Sequence, residues 1–295
     1  PMRDGVHLST TVLLPHRSNM TSWPVVLNRT PFPHAATEFM TYVFLSFSFA
    51  VVLQDVRGTG ESEGEYVFGR SDEVDALDTM SWIASEAWST GEVFWMCFGL
   101  DGSAALAGGH LAPPQLKGQL IAWAWGRGHE TIFQNGVFVQ NMTVEWLTRA
   151  GFPEKVEEII WNEPWSPEYW DPLDIEAHPG NCSWPGVFWA GYFDQFQMHT
   201  VGAWEYFQSQ QSGCASEQTR LFVEPYGHCP DGGVYDQDLE IPNGRLPVPI
   251  MQTLDLFINK SSNAEGRARL DSANNHFCSC PGHAYVNICR YFQSE

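Results

Sequence analysis

The stretch Gly91–Lys117 reads GEVFWMCFGLDGSAALAGGHLAPPQLK. Its first part, Val93 to Phe98, is an apolar run of strand length, rich in branched and aromatic residues. The run breaks at Gly99, and a small-residue segment, Gly102 to Gly109, follows. A buried strand that turns sharply into a helix is the layout of a nucleophile elbow. In such a turn a Ser, Cys or Asp sits under strain, between small residues that let the helix approach. Here the turn position is Gly99, which has no side chain.

The pattern around this stretch is an alternation of strands and helices. Val6, Leu8, Thr10, Val12 and Leu14 recur with the period of a half-buried strand, and Pro15 ends it. Pro24 to Thr30 reads as a second strand, Thr37 to Phe47 as a helix, and Ala50 to Val56 as a continuous apolar strand. Continuous apolar strands between helices are what a parallel sheet covered on both faces produces. Ser71 is a fair N-cap for a helix whose inward stripe is Val74, Leu77, Met80 and Ile83. A strand at Leu116 to Trp123 follows the elbow segment. From Gly126 to Gly180 the pattern changes: Trp146, Trp161, Trp165 and Trp170 fall among prolines and acids, with a short helix over Glu154 to Trp161. Alternation resumes with strands at Gly186 to Ala190 and Arg220 to Val223 and helices at Val201 to Gln208 and Pro249 to Ile258. The fold class expected is therefore α/β, with a mostly parallel central sheet.

Composition narrows the partners. The 295 residues suit one large domain or two small ones, long enough to bury a substantial core. Thirteen Trp and 19 Phe predict an aromatic-rich interior. A formal net charge of -20, from 15 basic and 35 acidic residues, argues against nucleic acid or an anionic membrane as partner. No stretch approaches the roughly 18 consecutive apolar residues of a membrane span. The glycine-rich loop Arg57 to Gly64 is not a phosphate loop, because no Lys-Ser/Thr follows the glycines. No cofactor and no metal are expected.

Several motifs, in one order, carry a resemblance. They are Met2-Arg3-Asp4-Gly5-Val6, Asn28-Arg29-Thr30-Pro31-Phe32, Gln54-Asp55-Val56-Arg57-Gly58-Thr59-Gly60-Glu61-Ser62-Glu63-Gly64, the elbow Cys97 to Gly102 and Pro113-Pro114-Gln115-Leu116-Lys117. Gly191-Tyr192-Phe193-Asp194 and Pro225-Tyr226-Gly227-His228 complete the set. Together they resemble the α/β-hydrolases of the Xaa-Pro dipeptidyl-peptidase and cocaine-esterase group over roughly residues 1 to 260. The resemblance implies an α/β-hydrolase core at residues 1–125 and 181–262. It implies a reduced lid at 126–180, then a cysteine-rich tail at 263–295 in place of the jelly-roll domain that relatives usually carry. The chain begins inside a family motif, so its natural N-terminus is expected upstream.

The same resemblance assigns Asp194 as the triad acid and His228 as the triad base. It puts the family's serine at Gly99, counted both forward from Val93 and back from Pro113. The family's oxyanion tyrosine maps to Phe32, which has no hydroxyl. Asp101 is a substitute nucleophile only if the turn shifts by two residues. Ser103 and Cys97 fit packing roles better, on the following helix and the strand respectively. Two functions stand: a pseudo-hydrolase acting as a binding or structural protein, and an active esterase, peptidase or lyase using Asp101 or the Asp194–His228 pair with water. For the first, the partner is a ligand in the pocket, copies of the chain, or an extracellular assembly.

Secretion is argued from sequons and cysteines. Asn19, Asn28, Asn141, Asn181 and Asn259 each have Thr or Ser two residues on. Asn28 lies on an apolar strand and is expected to stay unmodified; the other four sit in or near expected loops or the lid. Apart from Cys97, a buried free thiol, the cysteines are Cys182, Cys214, Cys229, Cys278, Cys280 and Cys289. Six cysteines allow 15 pairings, and spacing does not choose among them. Zinc on Cys278, Cys280, His283 and Cys289 is the competing role, but Cys-x-Cys-x-x-His is not a usual finger spacing. Mass spectrometry of protein from a secreting eukaryotic host is expected to find glycans on at least two of Asn19, Asn141, Asn181 and Asn259. It is also expected to find disulfides among the six cysteines; bare asparagines and free thiols throughout would contradict secretion.

Overall fold

A computed structural model of the chain describes residues 1–16, 18–32, 38–67, 72–99, 113–161, 166–175, 184–211, 214–225, 227–228 and 248–277, with residues 102, 105, 106, 108, 109 and 111. In chain order, β1 is Thr10–Leu13, β2 Trp23–Thr30, α1 Glu38–Ser46, β3 Ala50–Asp55, α2 Asp72–Ser85, β4 Ser89–Phe98 and β5 Leu116–Ala122. Then come α3 Gly128–Ile132, β6 Phe133–Gln134, β7 Val137–Phe138, α4 Gln140–Ala150, α5 Lys155–Trp161 and α6 Pro167–Trp170. The chain continues with β8 Gly186–Gly191, α7 Gln197–Gln210, α8 Cys214–Gln218, β9 Arg220–Glu224, α9 Val248–Lys260 and α10 Ala264–Phe277.

Among the described residues, seven strands form one sheet in the order β1-β3-β2-β4-β5-β8-β9. Of these, only β1 runs antiparallel, against β3. Alternate side chains of the central strands enter two separate cores. Val26, Phe94, Met96 and Leu120 face one, with Phe44 of α1 and Phe257 of α9. Val25, Leu27, Trp95 and Ile121 face the other, with Met80 of α2 and Phe207 of α7. Helices on both faces leave the middle strands no solvent-facing side, which is why apolar runs such as Val93 to Phe98 dominate them.

Between β5 and β8 the segment 126–175 has a core of its own, built on Trp125, Ile132, Phe133, Leu147, Ile159 and Trp170. It leaves and returns at one point: the Ile175 N–H reaches the Gly126 carbonyl at 2.8 Å, and Arg127 bridges Asp174. The β6–β7 hairpin turns at Asn135-Gly136, with φ of 52° and 81°. Asn-Gly is favoured where both central residues need positive φ.

Two elements differ from expectation. The first strand begins at Thr10 rather than Val6. The His7 N–H bonds to the Glu63 carboxylate and the Ser9 N–H to Ser62 Oγ, at 3.0 and 2.8 Å, so this backbone pairs with the glycine loop instead of a ladder. Residues 264–277, the first part of the expected cysteine-rich tail, form a helix with Leu270 3% exposed in the first core. Asn263, itself buried, starts it: its Oδ1 accepts the Gly266 N–H at 2.7 Å and its Nδ2 donates to the Phe47 carbonyl at 2.8 Å. Ser71, the proposed cap, lies outside the described residues.

The glycine loop is clamped by charge. Arg57 binds Asp75 of α2 through two bonds of 3.0 and 2.7 Å and Asp4 at 2.7 Å. The Asp75 side chain is 1% exposed, whereas Asp4 is 51% exposed. Removing Arg57 strands a buried carboxylate, so Arg57→Met is expected to lower unfolding free energy by about 3 kcal/mol. Asp4→Ala, at an exposed carboxylate, is expected to change it far less; urea titration of both variants checks the contrast.

Candidate functional site

Parallel strands deliver their C-terminal turns to one edge of the sheet, and the loops there are free to carry side chains toward one another. β2, β4, β5, β8 and β9 all run the same way. Their ends lead into Phe32, Gly99, Trp123, Asp194 and His228 in turn. That is how residues up to 196 positions apart in the chain, Phe32 and His228, come to the same edge.

Gly99 lies immediately beyond β4 with φ 59°, in the left-handed region. Its N–H bonds to the Ala122 carbonyl of β5 at 2.8 Å, and its own carbonyl accepts the Gly102 N–H at 3.1 Å. A residue with a Cβ held in this conformation costs roughly 1–2 kcal/mol, and glycine avoids that strain. A Cβ built at Gly99 would stand 3.6 Å from His228 Nε2 and 3.8 Å from Cε1, ordinary contact distances. The small residues beyond the turn are there for close packing. A Cβ at Gly102 would meet that of Ala124 at 2.2 Å, and one at Gly108 the Trp95 ring at 2.8 Å.

Asp194 sits in the turn between β8 and α7. Its Oδ1 accepts the Phe196 N–H at 3.1 Å and contacts His228 Nδ1 at 3.0 Å. Its side chain is fully buried, whereas the His228 side chain is 36% exposed. A carboxylate accepts only, so Nδ1 donates to it; in the neutral imidazole Nε2 then presents its lone pair toward Gly99. Thr200 of α7 bonds through Oγ1 to the Ala124 carbonyl at 2.8 Å, pinning the helix that follows the acid to the end of β5.

Three neighbours were not singled out from sequence. Trp123 has φ 52°, unusual for a bulky residue. Its ring lies 5.7 Å from Phe98, 4.5 Å from Trp189 and 6.1 Å from His228, between centroids. Phe196 meets His228 edge-on at 5.1 Å. Glu224 closes β9, and burial pushes its carboxyl above the usual range. The tryptophans just past β5 were visible in the sequence; which of them would face the histidine was not.

Of the other expected residues, Phe32 is half-buried after β2, its N–H bonded to Thr30 Oγ1 at 3.1 Å. Cys97 is 0% exposed and packs in the second core. Asp101, Ser103, Asn181, Cys182, Cys229, Cys278, Cys280, His283 and Cys289 lie outside the described residues, and of Cys214 only the backbone, at the start of α8, is described. Asn19, Asn141 and Asn259 are exposed, Asn141 on α4 within the expected lid and Asn259 at the end of α9. Asn28 is 0% exposed, and its Nδ2 bonds to the Met96 carbonyl at 2.9 Å inside the sheet. Among the described residues no helix is long and apolar enough to cross a membrane.

A mostly parallel sheet with helices on both faces and an elbow, an acid and a histidine at its carboxyl edge is the α/β-hydrolase fold. Within that fold the chain belongs to the X-Pro dipeptidyl-peptidase (S15) family, whose model matches residues 4–156. It is 40% identical over 99 residues to the cocaine esterase of Rhodococcus sp. (strain MB1 Bresler), across 32% of this chain and 17% of that protein. An aminopeptidase from a marine sediment archaeon, Thaumarchaeota archaeon, superposes with a TM-score of 0.59 at 19% identity, covering 77% of this chain and 47% of that one. A CocE/NonD family hydrolase from Staphylococcus aureus gives 0.59 at 17% identity, covering 77% and 45%. The matched part of this chain thus corresponds to less than half the length of each of these three proteins.

Glu224 supplies a pH-dependent prediction. Its folded pKa is raised above the ordinary glutamate value, so between the two values the folded state holds a proton that the unfolded state has lost. Stability therefore falls as pH rises through that window, and nothing is lost below it. Glu224→Gln is expected to raise the melting temperature at about pH 7.5 and to leave it nearly unchanged at about pH 4. Thermal melts at the two pH values test the sign.

Proposed function

We propose that this chain is a non-catalytic member of its family, an extracellular N-glycosylated protein whose former hydrolase pocket serves binding or assembly. One observation carries the proposal. Where a nucleophile's Cβ would stand 3.6 Å from His228 Nε2, the chain has Gly99. Acyl transfer through a covalent intermediate needs an oxygen or sulfur to form the ester, and glycine offers none. Phe32 in place of a tyrosine removes a hydroxyl donor that would stabilise the oxyanion. Two losses serving the same reaction are hard to reconcile with a working serine hydrolase. The retained Asp194–His228 pair and the glycine turn are then a scaffold, relieved of the backbone strain that a nucleophile imposes.

Exposed sequons at Asn19, Asn141 and Asn259 support the extracellular part of the proposal. Self-association is the partner interaction proposed beside ligand binding. Light scattering behind size-exclusion chromatography reads it directly.

The decisive experiment uses a fluorophosphonate probe, which reacts with activated serines. Wild-type protein is expected to stay unlabelled, and any esterase activity to stay within about a thousandfold of the uncatalysed rate. Gly99→Ser, together with Phe32→Tyr, is expected to acquire slow labelling at residue 99. Labelling of the wild type at Ser103 or another pocket serine, or ester hydrolysis abolished by Asp101→Asn, would establish a living enzyme instead.

A further inference from the structure

One edge of the sheet is a strand whose sequence complements itself. Among the described residues β9, Arg220–Glu224, is paired with β8 and has no strand on its other side. A bare edge of this kind offers unpaired backbone groups to another strand. The five residues read Arg-Leu-Phe-Val-Glu. Phe222 packs toward the first core and Leu221 toward the second, so Arg220 and Glu224 share the face of Phe222, and Val223 that of Leu221. Arg220 is exposed, Val223 is 43% exposed, and the other three are half-buried. Neither charge is compensated among the described residues. Arg220 Nη1 bonds to the neutral Gln252 side chain of α9, and Glu224 Oε2 has no hydrogen-bond partner.

Resting on the self-association part of the proposed function, we infer that β9 pairs antiparallel with β9 of a second copy of the chain, about a two-fold axis at Phe222. A two-fold contact is self-complementary, so each residue meets the one equally far beyond the axis. Centred on Phe222, the pairing sets Arg220 opposite Glu224 of the second copy, and Glu224 opposite its Arg220. Leu221 then meets Val223, and Phe222 meets Phe222. Every opposed pair is oppositely charged or apolar. Directly opposed residues are close neighbours, where opposite charges stabilise and like charges destabilise. Charge also selects the register, because any displacement of the centre breaks both ion pairs. In-register parallel pairing would set Arg220 beside Arg220 and Glu224 beside Glu224, so the same charges guard the edge against open-ended growth and admit a closed pair. The net charge of -20 on each copy repels at long range, so the dimer is expected to be weak and to form more readily at physiological than at low salt.

The test is analytical ultracentrifugation of the chain over a range of concentrations, with amide hydrogen exchange on the same samples. A dimer is expected at high concentration, with exchange at residues 220–224 slowed there and not in dilute protein. Arg220→Glu and Glu224→Arg each turn both ion pairs into like-charge pairs, and each is expected to weaken dimerisation about tenfold or more. An equimolar mixture of the two variants restores both pairs and is expected to dimerise again. Should Glu224→Arg fold poorly at its half-buried position, the Arg220→Glu loss and the exchange pattern decide by themselves. Exchange at 220–224 that is slow at every concentration would mean that the chain covers its own edge, and would overturn the inference. An Arg220→Glu variant that dimerises like the wild type, or a mixture of folded variants that stays monomeric, would overturn it too. In those cases self-association of the wild type through another surface still stands. A wild type that is monomeric up to millimolar concentration overturns the inference and self-association together, and leaves ligand binding as the proposed role. The non-catalytic assignment fails separately, on fluorophosphonate labelling of the wild type.

Discussion

Burial of β4 on both faces is the constraint on which the rest of the molecule depends. Its successive side chains divide between two cores, Phe94 and Met96 on one side, Val93, Trp95 and Cys97 on the other, all at or near zero exposure. Its backbone hydrogen bonds therefore run along the ladders to β2 and β5, with the buried Asn28 side chain taking the Met96 carbonyl. The strand is therefore held in register on both edges. When it ends at Phe98, the residue that follows has no freedom to wander.

Gly99 inherits that rigidity. One hydrogen bond ties its N–H to the end of β5, another starts the next turn from its carbonyl, and the helix beyond approaches so closely that Gly102 and Gly108 admit no side chain. This architecture is the one that would hold a strained nucleophile in an active enzyme. It persists here around a residue that needs no such support. The acid and base are equally well held, since Asp194 is buried and bonded both to its own turn and to His228. Proximity and orientation are thus retained while the reacting atom is missing, which is why a binding role for the pocket is chemically coherent.

Around this edge the fold uses aromatic contact more than charge. Phe98, Trp123 and Trp189 form a ring cluster that reaches His228, Phe196 meets the same histidine, and Trp125 joins Trp146 and Trp170 in the core of the segment 126–175. Charge is used elsewhere, at the Arg57 clamp that joins the N-terminal turn, the glycine loop and α2. Glu224 is the exception, a carboxyl held in apolar surroundings at the end of β9.

The sequence by itself determined the α/β class, the parallel core strands and the motif positions. Each depends on local composition: apolar runs such as Val93 to Phe98, and short motifs such as Gln54 to Gly64 or the elbow at Gly99. It also carried the Asn135-Gly136 turn, whose dipeptide signal is local. It did not carry the true start of β1, because His7 and Ser9 are drawn off by Glu63 and Ser62, more than 50 residues away. Nor did it carry the helix 264–277, whose weakly amphipathic sequence is stabilised by burying Leu270 and by Asn263 bonding to the chain near Phe47. Only the tertiary structure decided that Trp123 takes a left-handed backbone and that Phe196 and Trp123 flank His228. The physical reason is that such enclosures depend on which strand ends become neighbours, and the order β4-β5-β8-β9 is fixed by packing of the whole sheet rather than by any one segment.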